Sequence, residues 1–345
     1  MRYQLFGKSG LRVSELALGT MTFGKDWGWG ASKKESRRIF DAYTALGGNF
    51  IDTADRYTGG TAEELVGEFI ASDRQRFVVA TKFTLSTRKD HPNASGSHRK
   101  HMVEALEASL RRLNTPYVDL LWVHAWDQWT PLEETLRALD DLVRAGKVLY
   151  VGVSDTPAWV VARANTLAEL RGWTAYTGLQ LRYSLADRAA ERDLLPMANY
   201  LGVGVTAWSV LGAGVLTGKY NPGSVAGDAQ NGRAAGWEKR PRDLEIAGVV
   251  LQVAQEMGCT TSQVALSWVR QQAPGVIPIL GARSVAQLQE NMECLSLTLS
   301  EEHMQRLEQA SAIDLGFPHD FLASDEVTEM VYAGFQARMK QAPRP

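Results

Sequence analysis

Eight short apolar runs constrain this chain more than any other feature. They read ELALG (15–19), NFID (49–52), FVVATK (77–82), VDLLWVH (118–124), VLYVGVS (148–154), YTGLQL (176–181), GVGVTAW (202–208) and GVIPILG (275–281). Longer stretches with helical periodicity alternate with them, among them SKKESRRIFDAYTAL (32–46), RKHMVEALEASLRRL (99–113), PLEETLRALDDLVRAG (131–146) and LEIAGVVLQVAQEMG (244–258). Pro131 at a helix start, Gly146 just past an end and Ser284 ahead of VAQLQENM are the expected punctuation. The strand runs are continuously hydrophobic and do not alternate, as in a parallel sheet covered on both faces. Eight strand–helix units predict an α/β protein with a closed (β/α)8 barrel, with an open doubly wound sheet as the competing arrangement.

Two segments fall outside the repeat. RYQLFGKSGLRVSE, turning between Gly7 and Gly10, reads as a β-hairpin that plugs one end of the barrel. NPGSVAGDAQNGRAAGWEKRPRD (221–243) is rich in Gly, Asn and Pro and has no clear periodicity, which marks a functional or mobile loop whose role the sequence leaves open. No composition shift divides the chain. It reads as one domain over 1–345, with the barrel core at 15–297 and a tail at 298–345 that adds a helical segment.

With 45% hydrophobic and 22% charged residues the composition is that of a globular protein with ample core. A net charge of -2 gives no electrostatic reason to expect nucleic acid or an anionic membrane as partner. No apolar run approaches the roughly 18–20 residues of a membrane helix, and the amino terminus lacks the apolar core of a secretory signal. Cys259 and Cys294 are far apart and read as reduced thiols. Together these point to the cytoplasm. They leave the oligomeric state open.

In a (β/α)8 barrel the chemistry sits where strands reach their carboxyl ends. Here those ends carry Asp52 with Tyr57 just beyond, Lys82, His124, Ser154–Asp155, Gln180 and Trp208–Ser209. Singly, His124 reads as a core histidine and Lys82 as half of a structural ion pair. Converging on one barrel mouth, the set supports general-acid chemistry. A phenol is a sluggish acid at neutral pH. An ammonium beside it favours phenolate, and a carboxylate holds that ammonium charged and in place. Tyr57 is then the acid, Lys82 its tuner, Asp52 the anchor of Lys82, and His124 the group that orients a substrate oxygen.

Asp52, Tyr57, Lys82 and His124, in the phrases FIDTADRYTGG, VVATKF and DLLWVHAW, resemble the aldo-keto reductase superfamily. GLRVSELALGTMTFG, GKVLYVGVSD, TAWSVLGAGVLTGKY and IPILGARSVAQLQENM extend the resemblance, in order, from about residue 2 to 312. It implies a barrel that reduces aldehydes or ketones by hydride transfer from a nicotinamide cofactor. It also implies a cofactor site. Trp208 matches the ring that stacks on the nicotinamide, Ser154 and Gln180 the groups that hold its carboxamide, and Gly19, Thr20 and Met21 the floor beside it. Position 155 is Asp where many relatives have Asn. A carboxylate only accepts hydrogen bonds, so Asp155 serves the amide N–H and not its carbonyl. Ser209, Leu211, Gly214 and Lys219 resemble the pyrophosphate clasp. Gly281, Arg283, Gln287, Glu290 and Asn291 resemble the adenosine end, at a helix amino terminus that favours anions. The Arg283 guanidinium suits a 2′-phosphate, which favours NADP(H) over NAD(H).

Other motifs fail. GAGVLT (212–217) ends in Thr217 where a dinucleotide fingerprint needs glycine, and TGKY (217–220) lacks the glycine of a phosphate loop. His91, His98 and His101 have no acidic or thiol companion, so no metal is expected. Ten tryptophans are the remaining oddity. Trp27, Trp29, Trp126 and Trp129 follow the first and fourth strands and, with Tyr57 and His124, are expected to wall a wide pocket for a bulky or ring-containing carbonyl compound; Trp237 lies on the 221–243 loop. Phe317 and Phe321 are candidates to fold over it. Two other function classes remain open: a cofactor-sensing subunit with little turnover, and an aldolase using Lys82 as a Schiff base.

Overall fold

A computed structural model describes residues 1–220, 240–272 and 275–339. Most of the 221–243 loop, including Trp237, lies outside the described residues.

The eight apolar runs all form strands. After an antiparallel hairpin, β1 (Tyr3–Leu5) and β2 (Arg12–Ser14), come β3 (Ala17–Gly19), β4 (Phe50–Asp52), β5 (Val78–Phe83), β6 (Val118–Val123), β7 (Val148–Ser154), β8 (Tyr176–Arg182), β9 (Gly204–Trp208) and β10 (Val276–Leu280). β3 to β10 pair in parallel, and β10 returns to β3 to close the barrel. Helices α1 (Lys33–Ala45), α2 (Thr61–Ile70), α3 (Arg99–Leu113), α4 (Leu132–Arg144), α5 (Ala158–Arg171) and α6 (Leu194–Leu201) each follow one of the strands from β3 to β8. Both α7 (Pro241–Met257) and α8 (Thr261–Gln272) lie between β9 and β10, and α9 (Val285–Met292) follows β10. The doubly wound alternative is thereby excluded. Punctuation falls where the residue types require. Pro131 caps α4, the Ser284 hydroxyl accepts the Gln287 amide at the start of α9, and Gly146 takes a left-handed φ of 71° beyond α4.

Strand parity sets the interior. Phe50, Val78, Ala80, Leu120, Trp122 and Ile277 pack together inside the barrel, while Ile51, Val79, Leu121 and Val123 pack outward. Two residues further along each strand the same parity brings Asp52, Lys82 and His124 to the interior of the upper end. The lower end is filled from the hairpin. Phe6 is fully buried, its ring 5.6 Å from that of Phe50 and 6.3 Å from that of Trp122. It fits because the neighbouring strands carry glycine: a Cβ on Gly178 would come within 2.6 Å of the Phe6 ring. The hairpin is a plug.

The tail forms α10 (Glu301–Ser311), α11 (His319–Ala323) and α12 (Asp325–Tyr332). Arg188 clamps its beginning, donating to the Ser311 hydroxyl at 2.9 Å and pairing with Glu308. Phe317 and Phe321 stack on each other but remain 83% and 55% exposed. Among the described residues no helix is long and apolar enough to cross a membrane.

Candidate active site

At the upper end of the barrel lies a cavity of about 500 Å³, within the usual range for small-molecule sites. Much of its floor comes from strand ends: Gly19, Asp52, His124, Ser154, Gln180, Trp208 and Ile279.

Asp52 is the hub of the floor. Lys82 Nζ donates to its Oδ2 at 2.5 Å and Gln180 Nε2 to its Oδ1 at 2.9 Å, so each carboxylate oxygen is engaged from a different strand. Lys82 also donates to the Thr53 carbonyl at 2.8 Å and stands 3.3 Å from the Tyr57 hydroxyl. Burial alone would depress the Lys82 ammonium; Asp52 and Tyr57 outweigh it and hold the group above its ordinary range. The interior lysine is therefore a cation with a fixed direction.

Tyr57 reaches it from the turn after β4. Thr58 and Gly59 take φ of 48° and 68°, and Gly60 takes 106°. Glycine is required at position 60, because a Cβ there would also meet Arg112 at 2.8 Å. The Thr58 hydroxyl ties the turn down, donating to the Phe23 carbonyl at 2.9 Å and accepting the Ala62 amide at 3.0 Å. The His124 ring sits edge-on to Tyr57, 6.1 Å away. Burial, then Lys82 and Arg56, push the imidazole down to about 2, so it is neutral at any physiological pH.

The aromatic wall is partly as expected. Trp27 and Trp29 line the cavity, 5.7 Å apart, and Trp27 meets Tyr57 edge-on at 6.4 Å. Trp126 and Trp129 stand apart from the lining: Trp126 packs against Trp159, and Trp129 is 92% exposed. Both lie on the loop after β6, beyond His124. Nor do Phe317 and Phe321 join the lining. Thr22, Arg56 and Leu85 do, and were not singled out from the sequence. Arg56, next to Tyr57 in the same motif, carried the clearest unused signal.

Of the residues matched to a cofactor, Gly19, Met21, Ser154, Asp155, Gln180, Trp208, Ser209 and Gly281 line the same cavity. Thr20 is buried just behind it, its amide and hydroxyl both donating to the Asp52 carbonyl. After β9, Gly214 lies in a 3-10 segment (Gly212–Thr217), with Leu211 just before it and Lys219 just beyond it. There the Lys219 amine folds over Gly214, 3.0 Å from where a Cβ would stand. Around α9, Arg283, Gln287 and Glu290 are exposed and Asn291 is buried. The Gln287 side chain accepts the Arg283 amide at 2.9 Å, which ties this turn to the helix. The floor thus offers hydrogen-bond donors and acceptors beside an indole, and the segments that follow β9 and β10 carry Lys219 and Arg283. That chemistry fits a dinucleotide.

The sequence profile of the Aldo/keto reductase family matches residues 15–312. The chain belongs to this family. Among curated relatives of this aldo/keto reductase is norsolorinic acid reductase of Aspergillus flavus, 39% identical over 92% of this chain and 83% of the relative. An aryl-alcohol dehydrogenase of Pestalotiopsis microspora is 38% identical over 93% and 85%. Aryl-alcohol dehydrogenase [NADP(+)] of Phanerodontia chrysosporium is 36% identical over 92% and 87%. The family and these relatives make the protein an oxidoreductase whose class of reaction is carbonyl reduction with a nicotinamide cofactor.

Proposed function

We propose that this aldo/keto reductase reduces a ring-bearing aldehyde or ketone to the alcohol, with NADPH as cofactor and Tyr57 as proton donor. One observation carries the reading: the Tyr57 hydroxyl stands 3.3 Å from a buried ammonium that Asp52 holds from behind, at the floor of the cavity. Bound NADPH supplies a hydride to the carbonyl carbon. As electron density moves onto the carbonyl oxygen, Tyr57 releases its proton to that oxygen, and the Lys82 ammonium stabilises the phenolate left behind. His124, kept neutral by its surroundings, orients the oxygen by hydrogen bonding without competing as an acid. Trp208 would hold the nicotinamide by stacking, and Ser154 and Gln180 would hold its carboxamide by hydrogen bonds.

NADPH is favoured by the exposed Arg283 beside the start of α9, a planar guanidinium suited to a 2′-phosphate, and by the NADP(+) in the name of one relative. An aryl substrate is favoured by the Trp27–Trp29–Tyr57 wall and by the aryl-alcohol dehydrogenases among the relatives.

Following the loss of NADPH absorbance with a panel of aryl and alkyl carbonyl compounds tests this. Wild type turns over, with aryl compounds preferred. Tyr57→Phe loses about 10²–10⁴-fold in kcat and still quenches tryptophan emission on binding NADPH. Equal turnover by Tyr57→Phe would remove the proton-donor role. Tight NADPH binding with no turnover in either protein would favour a cofactor-sensing subunit.

A further inference from the structure

The cavity carries one acid that the proton-transfer chain does not use. Asp155 follows the last residue of β7 and takes a left-handed φ of 42°. Its backbone amide still reaches the Gln180 carbonyl on β8. Its carboxyl extends to β9, where Oδ1 accepts the indole N–H of Trp208 at 3.1 Å. Both residues line the cavity beside Ser154 and Gln180. On the Trp208 ring the Arg182 guanidinium lies 5.8 Å from the centroid, and that guanidinium pairs with Asp187 at 2.6 Å. Burial raises the Asp155 carboxyl above its ordinary range, while the indole donor, Lys82 and Arg182 pull it back toward the ionised form.

The charges at the floor differ in how they are matched. Asp52 faces a lysine cation directly, so its field is largely cancelled at a distance. Asp155 faces a neutral donor. An amide side chain at this position would also accept the indole N–H and would add a donor toward a carboxamide. A carboxylate gives up that donor, and what it adds in exchange is a negative charge. Asp155 is exposed at the open cavity; a nicotinamide seated against Trp208 would cover it, and a unit charge a few Å from that ring is then screened less than in open water.

We propose that Asp155 sets the redox preference of the bound cofactor: its carboxylate, anchored to the Trp208 indole, stabilises the positively charged oxidised nicotinamide over the neutral reduced ring. The inference rests on the reading that Trp208, Ser154 and Gln180 hold that ring. Its consequence is directional. Hydride departure turns a neutral dihydropyridine into a pyridinium cation while the carbonyl becomes an alcohol. A fixed anion beside the ring would lower the energy of the bound oxidised cofactor and favour hydride departure on the enzyme, while leaving the overall equilibrium in solution unchanged. Asp155 then acts on the cofactor through its charge, and on the stacking plate through its hydrogen bond. The two roles separate by substitution.

The test titrates NADP+ and NADPH separately against the tryptophan emission of wild type, Asp155→Asn and Asp155→Ser. Asp155→Asn keeps an acceptor for the Trp208 N–H, removes the charge and adds an amide donor that meets the carboxamide of both cofactor forms alike, so the ratio of the two affinities isolates the charge. The expected result is that the ratio of Kd for NADP+ to Kd for NADPH rises about tenfold in both variants, with NADPH affinity little changed in Asp155→Asn. An unchanged ratio in variants that bind both forms would overturn the charge role and leave Asp155 as a support for Trp208. Equal loss of affinity for both forms would do the same. Failure of wild type to bind either form would remove the underlying cofactor reading and this inference with it.

Discussion

Lys82 is the residue on which the site turns, because three strands and a loop meet at its ammonium and its partners. Asp52, Tyr57, Lys82 and His124 were legible as a set because each lies at or just past a strand's end, in three recognisable phrases of which Asp52 and Tyr57 share the first. Their links were not. Gln180 and Asp52 are 128 positions apart, and only barrel closure places the amide nitrogen 2.9 Å from the carboxylate. Replacing Lys82 by Met leaves Asp52 buried without its cation, a loss of ~3–5 kcal/mol in stability. It also removes the charge that favours phenolate. Chemical denaturation and kcat measured together should show both losses, whereas Tyr57→Phe should show only the second. His124 gives a pH signature of its own. Its imidazole is neutral in the folded protein down to about 2 and titrates near ~6.5 when unfolded. The unfolded chain therefore binds the extra proton, and stability falls as pH drops below ~6.5. His124→Gln should shallow that acid limb in denaturation curves collected from pH 7 to 4. On the proposed pairing of Arg283 with a 2′-phosphate, Arg283→Gln should weaken NADPH binding about tenfold or more and leave NADH nearly untouched, a difference that emission titration with both cofactors reads directly.

At the scale of elements, the catalytic turn stands on a buried acidic support. Asp55, one residue before Arg56, is pushed up to about 8 by burial and by Glu63, against the pull of Arg112. Glu63 on α2 is itself fully buried, accepting from the Thr81 hydroxyl on the outer face of β5 at 2.5 Å and from Arg112 on α3 at 2.7 Å. Arg112 is engaged by Glu63, and neither Asp55 carboxyl oxygen finds a hydrogen-bond donor among the described residues, so burial beside Glu63 keeps the proton on Asp55. The sign follows from the direction of the shift. The folded protein holds a proton on Asp55 that the unfolded chain has released above ~4, so stability declines as pH rises through that interval and levels off beyond 8. Above ~6.5 His124 no longer opposes the trend. Asp55→Asn, which mimics the protonated acid, should flatten the loss of unfolding free energy between pH 6.5 and 8.5 by up to a few kcal/mol; an unaltered slope would place the proton elsewhere. None of this was visible in FIDTADRYTGG, since the shift comes from helices packed behind the motif. Element boundaries, by contrast, followed closely from residue types. The Trp126–Trp129 loop misled because a sequence locates a loop without saying which way its rings turn.

For the whole molecule, the barrel divides its labour between two ends. The eight runs and the plug were readable in advance, whereas strand parity was not, because the runs are apolar on both faces; the tail's course was not either, because it is held by scattered polar contacts such as Arg188–Glu308. Two predictions separate the ends. Phe6→Ala opens a void against Phe50 and Trp122 and should lower stability by about 3–5 kcal/mol, while kcat of the folded enzyme stays near wild type. Trp27→Ala and Trp29→Ala should leave stability nearly intact and erode the preference for aryl over alkyl carbonyls several-fold. Trp126→Ala, standing off the cavity, should alter that preference little. Parallel kcat/KM measurements on one aryl and one alkyl ketone decide the matter.

Closure of the barrel also has a consequence in time. β3 can gain its second neighbour only when β10 exists, more than 250 residues later, and Glu15 waits as long for its 2.7 Å ion pair with Arg270. Phe6 needs Ile277 as well as Phe50 and Val78 to complete its nest. During synthesis the first-made residues must therefore linger as an unsealed apolar hairpin while the rest of the ring is assembled. Contacts of such separation are slow to form and leave unpaired edges exposed in the interval. A ribosome paused after β9 would hold a horseshoe of seven strands, complete in most of its catalytic groups and open along one seam.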